Sequence, residues 1–367
     1  MTTINARRAR WAAVTTAVLG MLIVSACSSS GTSTTSSTPG TGSSSPSTSS
    51  NLSGTLNGSG STFQTNFQQG AIQAFKSVDS GITVNYGGGG SGKGRTDLAG
   101  GVVNFAGSDS PIPSSEQANF KGKKVLYFPV IIGPITMSYN LSGVTNLKLT
   151  PTVIADIFQG KITSWNNSAI KTINPGVSLP STAITIAVRS DSSGTTSNFS
   201  LFLEKAAGSD WTLGSSSTIK WPSTAHAAQG NSGVAQVIKS TPGAIGYVDL
   251  STAKATGLSF ASVKNKAGSY VAPSDASATA SASTVTVAPD LTFHAVWGSA
   301  AGAYPITYQS WDLVYAQQPN ANDAAMLKAY LGYLLGAGQS LLPGLFYAPL
   351  PASMDTAAKA QLSQITG

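Results

Sequence analysis

The segment from Arg189 to Thr196, which reads RSDSSGTT, holds the densest group of side chains suited to chemistry. A guanidinium and several hydroxyls supply many hydrogen-bond donors, which a tetrahedral oxyanion requires. Asp191 lies two residues after Arg189 and is placed to hold the guanidinium. An apolar face with helical spacing begins at Phe199, so a helix N-terminus adds backbone donors. The segment therefore predicts a site for an oxyanion.

Ser193 has an alternative role as a nucleophile, which would make the protein a phosphatase or a serine hydrolase on a related scaffold. That role needs a nearby base. The two histidines, His226 and His294, are in no recognisable triad arrangement, and the chain has no G-x-S-x-G motif. We therefore keep the enzyme as the minor alternative.

Two glycine-rich segments are suited to the same anion through their backbone N–H groups. The first, GSGSTF at 58–63, leads into a stretch with helical spacing, and a helix N-terminus attracts anions. The second, GGGGSGKG at 87–94, approaches the spacing of a P-loop, but Gly94 replaces the Ser or Thr that would hold Mg²⁺. Nucleotide hydrolysis is thus disfavoured, and Ser91 with its neighbouring amides is left as an oxyanion donor. Flexible turns are the alternative for both segments.

Asp109 lies in a further segment, NFAGSDSP at 104–111, at the predicted end of a strand. Taken alone, this segment favours an Asx-turn in which the aspartate caps the bend before Ser110-Pro111. Whether Asp109 contributes to the oxyanion site therefore depends on which other segments the fold places beside it.

The elements that must position these segments alternate between strands and helices. Short runs rich in β-branched residues predict strands at 82–86, 102–107, 125–132, 184–188 and 244–248. Capped or amphipathic stretches predict helices at 151–159, 233–239, 322–335 and 355–365, and a capping box at 114–117. Residues 274–286, rich in Ala, Ser and Thr, are expected to form a mobile surface excursion. The alternation predicts an α/β protein, in which ligands bind at the carboxyl ends of strands.

Composition excludes several classes of protein. The chain has 367 residues, 41% of them hydrophobic and 10% charged, which is too apolar for a disordered chain. The single cysteine, Cys27, excludes a disulfide framework and a multi-thiolate metal site, and two widely separated histidines disfavour zinc. No cluster of Lys and Arg interleaved with aromatic residues points to nucleic acid.

The N-terminal fifty residues are predicted to be an export signal and a tether. Arginines precede an apolar run at 11–26, which is too short to span a bilayer and is typical of a signal peptide. The run ends VSAC at 24–27, which resembles the bacterial lipobox, so residues 1–26 form a lipoprotein signal peptide and Cys27 is the expected lipidation site. Residues 28–50 contain only Ser, Thr, Gly and Pro, the composition of a flexible linker.

Taken in this order, the segments resemble the phosphate-binding proteins of the bacterial Pst-type ABC importer. The resemblance extends over residues 56–365 and includes YFPVIIG at 127–133, IFQGKITSWN at 157–166, PGAIGYV at 242–248 and YPIT at 304–307. It implies a two-lobed periplasmic-binding-protein (type II) fold with a ligand cleft and a hinge of two chain crossings. Each lobe is then a mainly parallel sheet flanked by helices.

The resemblance also divides the chain after the tether at 27–50. Residues 51–133 and 304–367 are expected to form lobe I, and residues 134–303 lobe II, with the hinge near Gly133 and Tyr304.

Carried over position by position, the family's phosphate ligands fall on residues of both lobes. They are Thr62, Phe63, Ser91, Asp109, Arg189, Ser193, Gly194 and Thr195. Phe63 is expected to act through its backbone N–H, and Asp109 to accept a proton that phosphate carries and sulfate lacks. Gly92 and Lys93 depart from the family pattern of Ser and Gly, and Lys93 is a candidate cation at the rim of the site.

The implied function is an extracytoplasmic lipoprotein that captures inorganic phosphate and delivers it to the permease subunits of an ABC importer. The lipid at Cys27 would anchor it to the cell membrane. No cofactor, no metal, no nucleic acid and no enzymatic activity are expected. A binding protein of the same fold for another oxyanion is the alternative within this class.

Overall fold

A computed structural model describes residues 52–367 of the chain. The predicted signal peptide at 1–26, the lipidation site Cys27 and the tether at 28–50 lie outside these residues. Within the described part, no helix has the length and apolar character needed to cross a membrane.

Short strands alternate with helices along the chain, so the α/β class predicted from the sequence is confirmed. The strands are β1 Gly54–Gly60, β2 Ile82–Gly88, β3 Phe105–Ser108, β4 Val125–Tyr139, β5 Lys148–Leu149, β6 Thr185–Arg189, β7 His226–Ala228, β8 Ala244–Asp249, β9 Ser259–Phe260, β10 Ser262–Lys264, β11 Tyr270–Val271 and β12 Thr307–Tyr315. The α-helices are α1 Thr65–Phe75, α2 Ser91–Ala99, α3 Pro151–Phe158, α4 Ser168–Ile173, α5 Gly194–Ala207, α6 Gly230–Ser240, α7 Leu250–Thr256, α8 Asp275–Ala282, α9 Ala321–Leu335 and α10 Ala352–Gln361. Each predicted strand and α-helix has a counterpart, with shifted ends.

The large sheet has the strand order β2-β1-β3-β12-β4-β8-β6-β7, and β9 also pairs with β4. Pairing is parallel within β2-β1-β3 and within β8-β6-β7, where helices connect the strands. Pairing is antiparallel where β12 and β4 join these two groups. The carboxyl ends of the parallel strands therefore face one another across the middle of the molecule.

The long strand β4 runs through both halves of the sheet. Up to Pro134 it pairs with β12, and from Ile135 onward it pairs with β8. Almost every side chain along it is buried, and helices α6 to α10 all contact it. The strand continues beyond the predicted end at Ile132, since the Gly133-Pro134 pair inside it does not break the pairing. The predicted lobe limits at 133/134 and 303/304 lie beside this exchange of partners and stay a prediction.

Local sequence signals account for some helix ends and fail at others. Thr150 caps α3 by accepting a hydrogen bond from the Val153 N–H, as the Thr-Pro pair predicts. The capping box predicted at 114–117 is wrong: Ser114–Phe120 is a 3₁₀ helix that follows Pro113 without a side-chain cap.

The expectation of a mobile surface excursion at 274–286 is also wrong. The segment contains α8, which a capping box between Ser274 and Ser277 begins, and Ala278, Ser281 and Ala282 are buried. Small side chains let this helix lie close against β4 and β12, which composition alone does not show.

Candidate functional site

Three parallel neighbours, β2, β1 and β3, deliver three of the predicted loops to one edge of the sheet. Thr62 follows β1, Ser91 follows β2 at the first turn of α2, and Asp109 follows β3 directly. On the opposite side, β6 ends at Arg189 and α5 begins at Gly194. The site therefore lies where loops leave the carboxyl ends of parallel strands, as expected for this fold class.

Asp109 is a buried carboxylate whose backbone and side chain are held from several directions. Its Oδ1 accepts a hydrogen bond from Ser310 Oγ at 2.6 Å, and its carbonyl accepts from Asn198 Nδ2 at 2.6 Å and from Gln309 Nε2 at 3.1 Å. Burial raises the pKa of Asp109 to about 6, although hydrogen bonds from the Ser310 and Ser61 hydroxyls and the charge of Arg189 act in the opposite direction. The group is thus ionised above about pH 6 and accepts hydrogen bonds.

Two walls enclose the site: one consists of the loops that carry Thr62, Ser91 and Asp109, and the other of the segment from Arg189 to Thr195. Gly194 is a point of close contact between them. A Cβ added there would lie 2.6 Å from both Cβ and Oδ2 of Asp109, and closer still to Ser91 Oγ. Asp109 Oδ2 consequently faces the first turn of α5. Only glycine allows the walls to meet in this way.

Gly92 explains one departure from the family pattern. Its N–H donates to the carbonyl of Ser192 at 3.0 Å, and an added Cβ would overlap the Ser192 side chain. The missing side chain therefore permits a backbone hydrogen bond between the segment at 87–94 and the segment at 189–196.

Arg189 is buried, and four of the five N–H groups of its guanidinium donate to protein acceptors, which leaves one N–H on Nη2 for a ligand. Nε donates to Asp191 Oδ1 at 2.8 Å, Nη2 donates to Asp191 Oδ2, and Nη1 donates to Asn231 Oδ1 at 2.9 Å. Burial would raise the pKa of Asp191, but the hydrogen bonds and charge of Arg189 outweigh it and lower that pKa. Asp191 thus holds the guanidinium, as its position two residues away predicts.

Asn231 links the two walls and was not predicted from the sequence. Its backbone N–H donates to Thr62 Oγ1 at 3.2 Å, and its Nδ2 donates to Asp249 Oδ2 at 2.7 Å. Burial raises the pKa of Asp249, whose other oxygen caps α7 through the Thr252 N–H. The hydrogen bonds of Asn231 to Thr62 and to Arg189 therefore connect a loop of one wall to the arginine of the other.

The hydroxyls predicted as ligands share one feature: each accepts a hydrogen bond from a protein N–H. The pairs are Thr62 with Asn231 N, Ser91 with Asp109 N, Ser193 with Thr196 N and Thr195 with Arg189 Nη1, at 3.2, 3.1, 3.1 and 3.4 Å. A hydroxyl that accepts from the protein keeps its own proton for a ligand. Ser193 caps α5 in this way, and its hydroxyl makes no hydrogen bond to a histidine or a carboxylate among residues 52–367.

Phe63 is fixed by its ring. The ring stacks on Tyr308 with centroids 3.9 Å apart, and the Phe63 carbonyl accepts from the Tyr347 hydroxyl at 2.8 Å. Its backbone N–H, the predicted donor, lies 3.1 Å from Ser61 Oγ. All eight predicted site residues are therefore brought into one connected region.

Lys93 points away from this region. Its Nζ pairs with Asp97 Oδ2 at 2.6 Å, one helical turn along α2, and its side chain is 53% exposed. An i,i+4 pair with an acid on the same helix face explains the orientation.

The buried cation of this wall is Arg95, which sequence reasoning did not single out. Its guanidinium makes a two-point contact with Glu116, at 2.6 and 2.9 Å, and also donates to the hydroxyls of Ser108 and Ser110. These two serines flank Asp109 in the chain, so the ion pair supports the loop that carries the carboxylate.

Glu116→Ala is expected to lower the free energy of unfolding by about 3–5 kcal/mol, because it leaves the Arg95 guanidinium buried without its carboxylate. Urea unfolding followed by circular dichroism measures the loss. Lys359→Ala is the matched control, since it removes the exposed pair with Asp355 on α10, and it should cost under about 1 kcal/mol. Equal losses in both variants would contradict a supporting role for Arg95.

Within residues 52–367 no group of three or more His, Cys, Asp or Glu side chains is arranged to hold a metal ion. The predicted ligand hydroxyls, the guanidinium and the backbone N–H groups can all donate hydrogen bonds to an anion, whereas the carboxylates only accept. The arrangement suits a small oxyanion enclosed by both walls.

Comparison with known proteins points the same way. The model of the PBP superfamily domain matches residues 45–337. The phosphate-binding protein PstS 3 of Mycobacterium leprae is 34% identical over 83% of this chain and 86% of its own length. The phosphate-binding protein PstS3 of Mycobacterium bovis is 34% identical over 93% and 94% of the two chains, and PstS of Xylella fastidiosa is 37% identical over 75% and 76%.

Solved structures share the fold. The phosphate-binding protein of Stenotrophomonas maltophilia superposes with a TM-score of 0.68 at 21% identity, covering 84% of this chain and 93% of its own. A putative phosphate ABC transporter substrate-binding protein from Clostridium perfringens, with bound phosphate, gives a TM-score of 0.60 at 17% identity, covering 81% and 100%. The predicted two-lobed binding-protein fold is thereby confirmed.

Proposed function

This chain belongs to the PBP superfamily and, within it, to the PstS family of phosphate-binding proteins, and we propose that it captures inorganic phosphate between its two lobes. The proposed ligands are the eight residues named from the sequence. The relatives named above are binding proteins, and we propose the same for this chain, without an enzymatic step.

One observation carries the proposal: the site combines several donors with a single acceptor that faces them. The hydroxyls of Thr62, Ser91, Ser193 and Thr195 accept hydrogen bonds from the protein and can donate their own protons to a ligand. The Asp109 carboxylate, whose Oδ2 faces Gly194, can only accept. Phosphate near neutral pH both accepts and donates hydrogen bonds, so it satisfies every group. Sulfate only accepts, and would bring its charge against a buried, unpaired carboxylate.

The charges of the site support recognition by hydrogen bonds more than by net positive charge. Asp191 already pairs with Arg189, and Asp109 and Asp249 are both buried. The anion is therefore stabilised by oriented hydroxyls, by the guanidinium and by the N-terminal amides of α5. Such fixed dipoles are strong in a site that excludes water.

Phosphate favours contact between the two walls, because only then does it reach both sets of donors. Ser91 and Asp109 belong to one wall, and Arg189, Ser193 and Thr195 to the other. We propose that closure around the anion is the form offered to the permease subunits of an ABC importer. We propose that the protein acts outside the cytoplasm and is anchored to the cell membrane by a lipid at Cys27, which the signal peptide and lipobox predicted from the sequence support.

Asp109→Asn tests the function directly, because an amide at this position donates as well as accepts. Phosphate affinity is expected to fall by about 30-fold or more, which corresponds to about 2 kcal/mol for the loss of one buried charged partner. The preference for phosphate over sulfate should narrow by at least about 10-fold. Titration calorimetry at pH 7.5, on protein freed of bound phosphate by partial unfolding and dialysis, measures both anions.

Asp355→Asn, on the remote helix α10, is the control and should leave both affinities unchanged. An Asp109→Asn variant that rejects sulfate as strongly as the unaltered protein would refute the role of Asp109. If the unaltered, folded protein binds neither anion, the proposed function itself is wrong.

A further inference from the structure

Ser310 lies on β12, far along the chain from every predicted ligand, yet its hydroxyl touches Asp109. We propose that Ser310 is a positioning residue that keeps Asp109 a hydrogen-bond acceptor. A series of hydrogen bonds from Tyr330 through Gln68 and Gln64 to Ser310 determines that the Ser310 hydroxyl donates its proton to Asp109. This inference rests on the proposed phosphate function and names a determinant of its selectivity outside the ligand set.

Gln64 determines the direction in which the hydrogen bonds of this series donate. Its Nε2 lies 2.9 Å from the carbonyl of Trp311 and 2.8 Å from Ser310 Oγ. A carbonyl only accepts, so the amide nitrogen must face Trp311, and its second proton then goes to Ser310. Ser310 is thereby an acceptor from Gln64 and must donate its own proton elsewhere.

The Ser310 proton has two acceptors within reach. Asp109 Oδ1 lies at 2.6 Å and the carbonyl of Ser108 at 3.3 Å. The shorter bond to a charged acceptor is the stronger, so the proton points to Asp109. Oδ1 therefore accepts from Ser310, and Oδ2, which faces Gly194, is the oxygen that we assign to the proton of the anion. The Ser61 hydroxyl also hydrogen-bonds to this carboxylate and is unchanged by a substitution at Ser310.

The series continues away from the site with the same direction of donation. Gln68 Nε2 donates to Gln64 Oε1 at 3.0 Å, and the Tyr330 hydroxyl donates to Gln68 Oε1 at 2.6 Å. Gln68 Nε2 also lies 3.1 Å from Asp312 Oδ2. Every link therefore donates toward Asp109, and aligned hydrogen bonds strengthen one another in a buried setting.

Backbone geometry aims Ser310 at the site. The register of the β12–β4 pair shifts between Ser310 and Trp311, where Pro129 on β4 is paired with Trp311. Such irregularities bend a strand and redirect a side chain. Trp311 pairs with Ser108 on β3, so Ser310 lies beside the residue that follows β3, which is Asp109.

Other ionisable groups act on Asp109 and set the design of the test. Arg189 favours its charged form, and Asp249 disfavours it. Burial raises the pKa values of the nearby Tyr86, Tyr308 and Tyr347, so these side chains stay neutral. None of these groups is altered by a substitution at Ser310.

Ser310→Ala tests the proposal through the pH dependence of sulfate binding and of Asp109 itself. The apparent pKa of Asp109, followed by carbon NMR of labelled aspartate in ligand-free protein, is expected to rise by about one to two pH units. Protonated Asp109 can donate to sulfate, so the pH below which sulfate binds should rise by the same amount. Phosphate selectivity at pH 7.5 is expected to fall about 10-fold or more.

Three further variants separate this role from a structural one. Ser310→Thr keeps the hydroxyl, so the Asp109 pKa and the pH dependence of sulfate binding should both match those of the unaltered protein. Ser138→Ala removes an equally buried hydroxyl on β4 that pairs with Thr136, and should leave both unchanged. Burial raises the pKa of Asp312 to about 7, so Asp312→Asn removes a titration in the same pH range while the Ser310–Asp109 bond remains.

An unchanged Asp109 pKa and an unchanged sulfate profile in folded Ser310→Ala protein would overturn the proposal. An equal shift in Ser138→Ala or Ser310→Thr would also overturn it, because the hydroxyl at 310 would then not be the cause. Absence of phosphate binding in the unaltered protein would instead refute the proposed function, and the NMR titration without ligand still decides whether Ser310 controls Asp109.

Discussion

Gly194→Ala is expected to reduce phosphate affinity by about 100-fold or more. The added methyl group would lie 2.6 Å from Asp109 Cβ and Oδ2, so the walls cannot meet without displacing the carboxylate. Overpacking of a close-packed region costs about 1–3 kcal/mol, and the hydrogen bonds that phosphate cannot form while the cleft stays open add to that cost. Titration calorimetry with phosphate gives the affinity directly.

The ligand-free protein should respond in the opposite sense. Gly194 is the first residue of α5, where alanine is favoured over glycine by up to about 1 kcal/mol. The melting temperature without phosphate is therefore expected to stay equal or to rise, while the increase caused by added phosphate is lost.

Gly87→Ala is the matched control, because an added Cβ at this position in β2 meets nothing within 4 Å. It should bind phosphate as the unaltered protein does. If Gly194→Ala binds phosphate equally well, the two walls do not close on the ligand at this point.

Arg189→Ala is expected to weaken phosphate binding by about 1,000-fold, or about 4 kcal/mol. The substitution removes the guanidinium and leaves the carboxylates of Asp109, Asp191 and Asp249 with no counter-charge from this position. Arg189→Lys should be intermediate, because an ammonium keeps the charge but cannot reproduce the fork that contacts Asp191 and Asn231. Competition with labelled phosphate covers this range of affinities.

Adding Asp191→Asn to Arg189→Ala tests whether Arg189 contacts the anion or only balances the charge of Asp191. The double variant relieves the stranded Asp191 carboxylate, and binding should stay at least about 100-fold weaker than in the unaltered protein. Full recovery would mean that Arg189 acts only by balancing Asp191 and does not touch the anion.

Much of the binding region was predictable because its pieces are local. The loops after β1, β2, β3 and β6 were recognised as strand ends rich in glycine and hydroxyls, and the resemblance to the phosphate-binding proteins assigned eight positions within them. The structure brings these positions together. The pair between Arg189 and Asp191 also follows from a spacing of two residues in the chain.

The supporting residues were missed because no local pattern marks them. Ser310 and Gln309 reach Asp109 from β12, and Asn198 reaches it from the second turn of α5. In sequence they read as ordinary positions of a buried strand and a helix. Lys93 shows the converse: its place in a glycine-rich loop suggested a cation for the site, and an acid one turn along α2 holds it away.

By itself, then, the sequence determined the α/β class, the loops that carry the donors, and the chemistry of an oxyanion site. These follow from spacing, turn chemistry and side-chain type, which act over a few residues. Only the tertiary structure decided which way each proton points. A hydroxyl donates or accepts according to the partner that packs against it, and for Thr62, Ser91 and Ser310 that partner comes from a distant element of the chain.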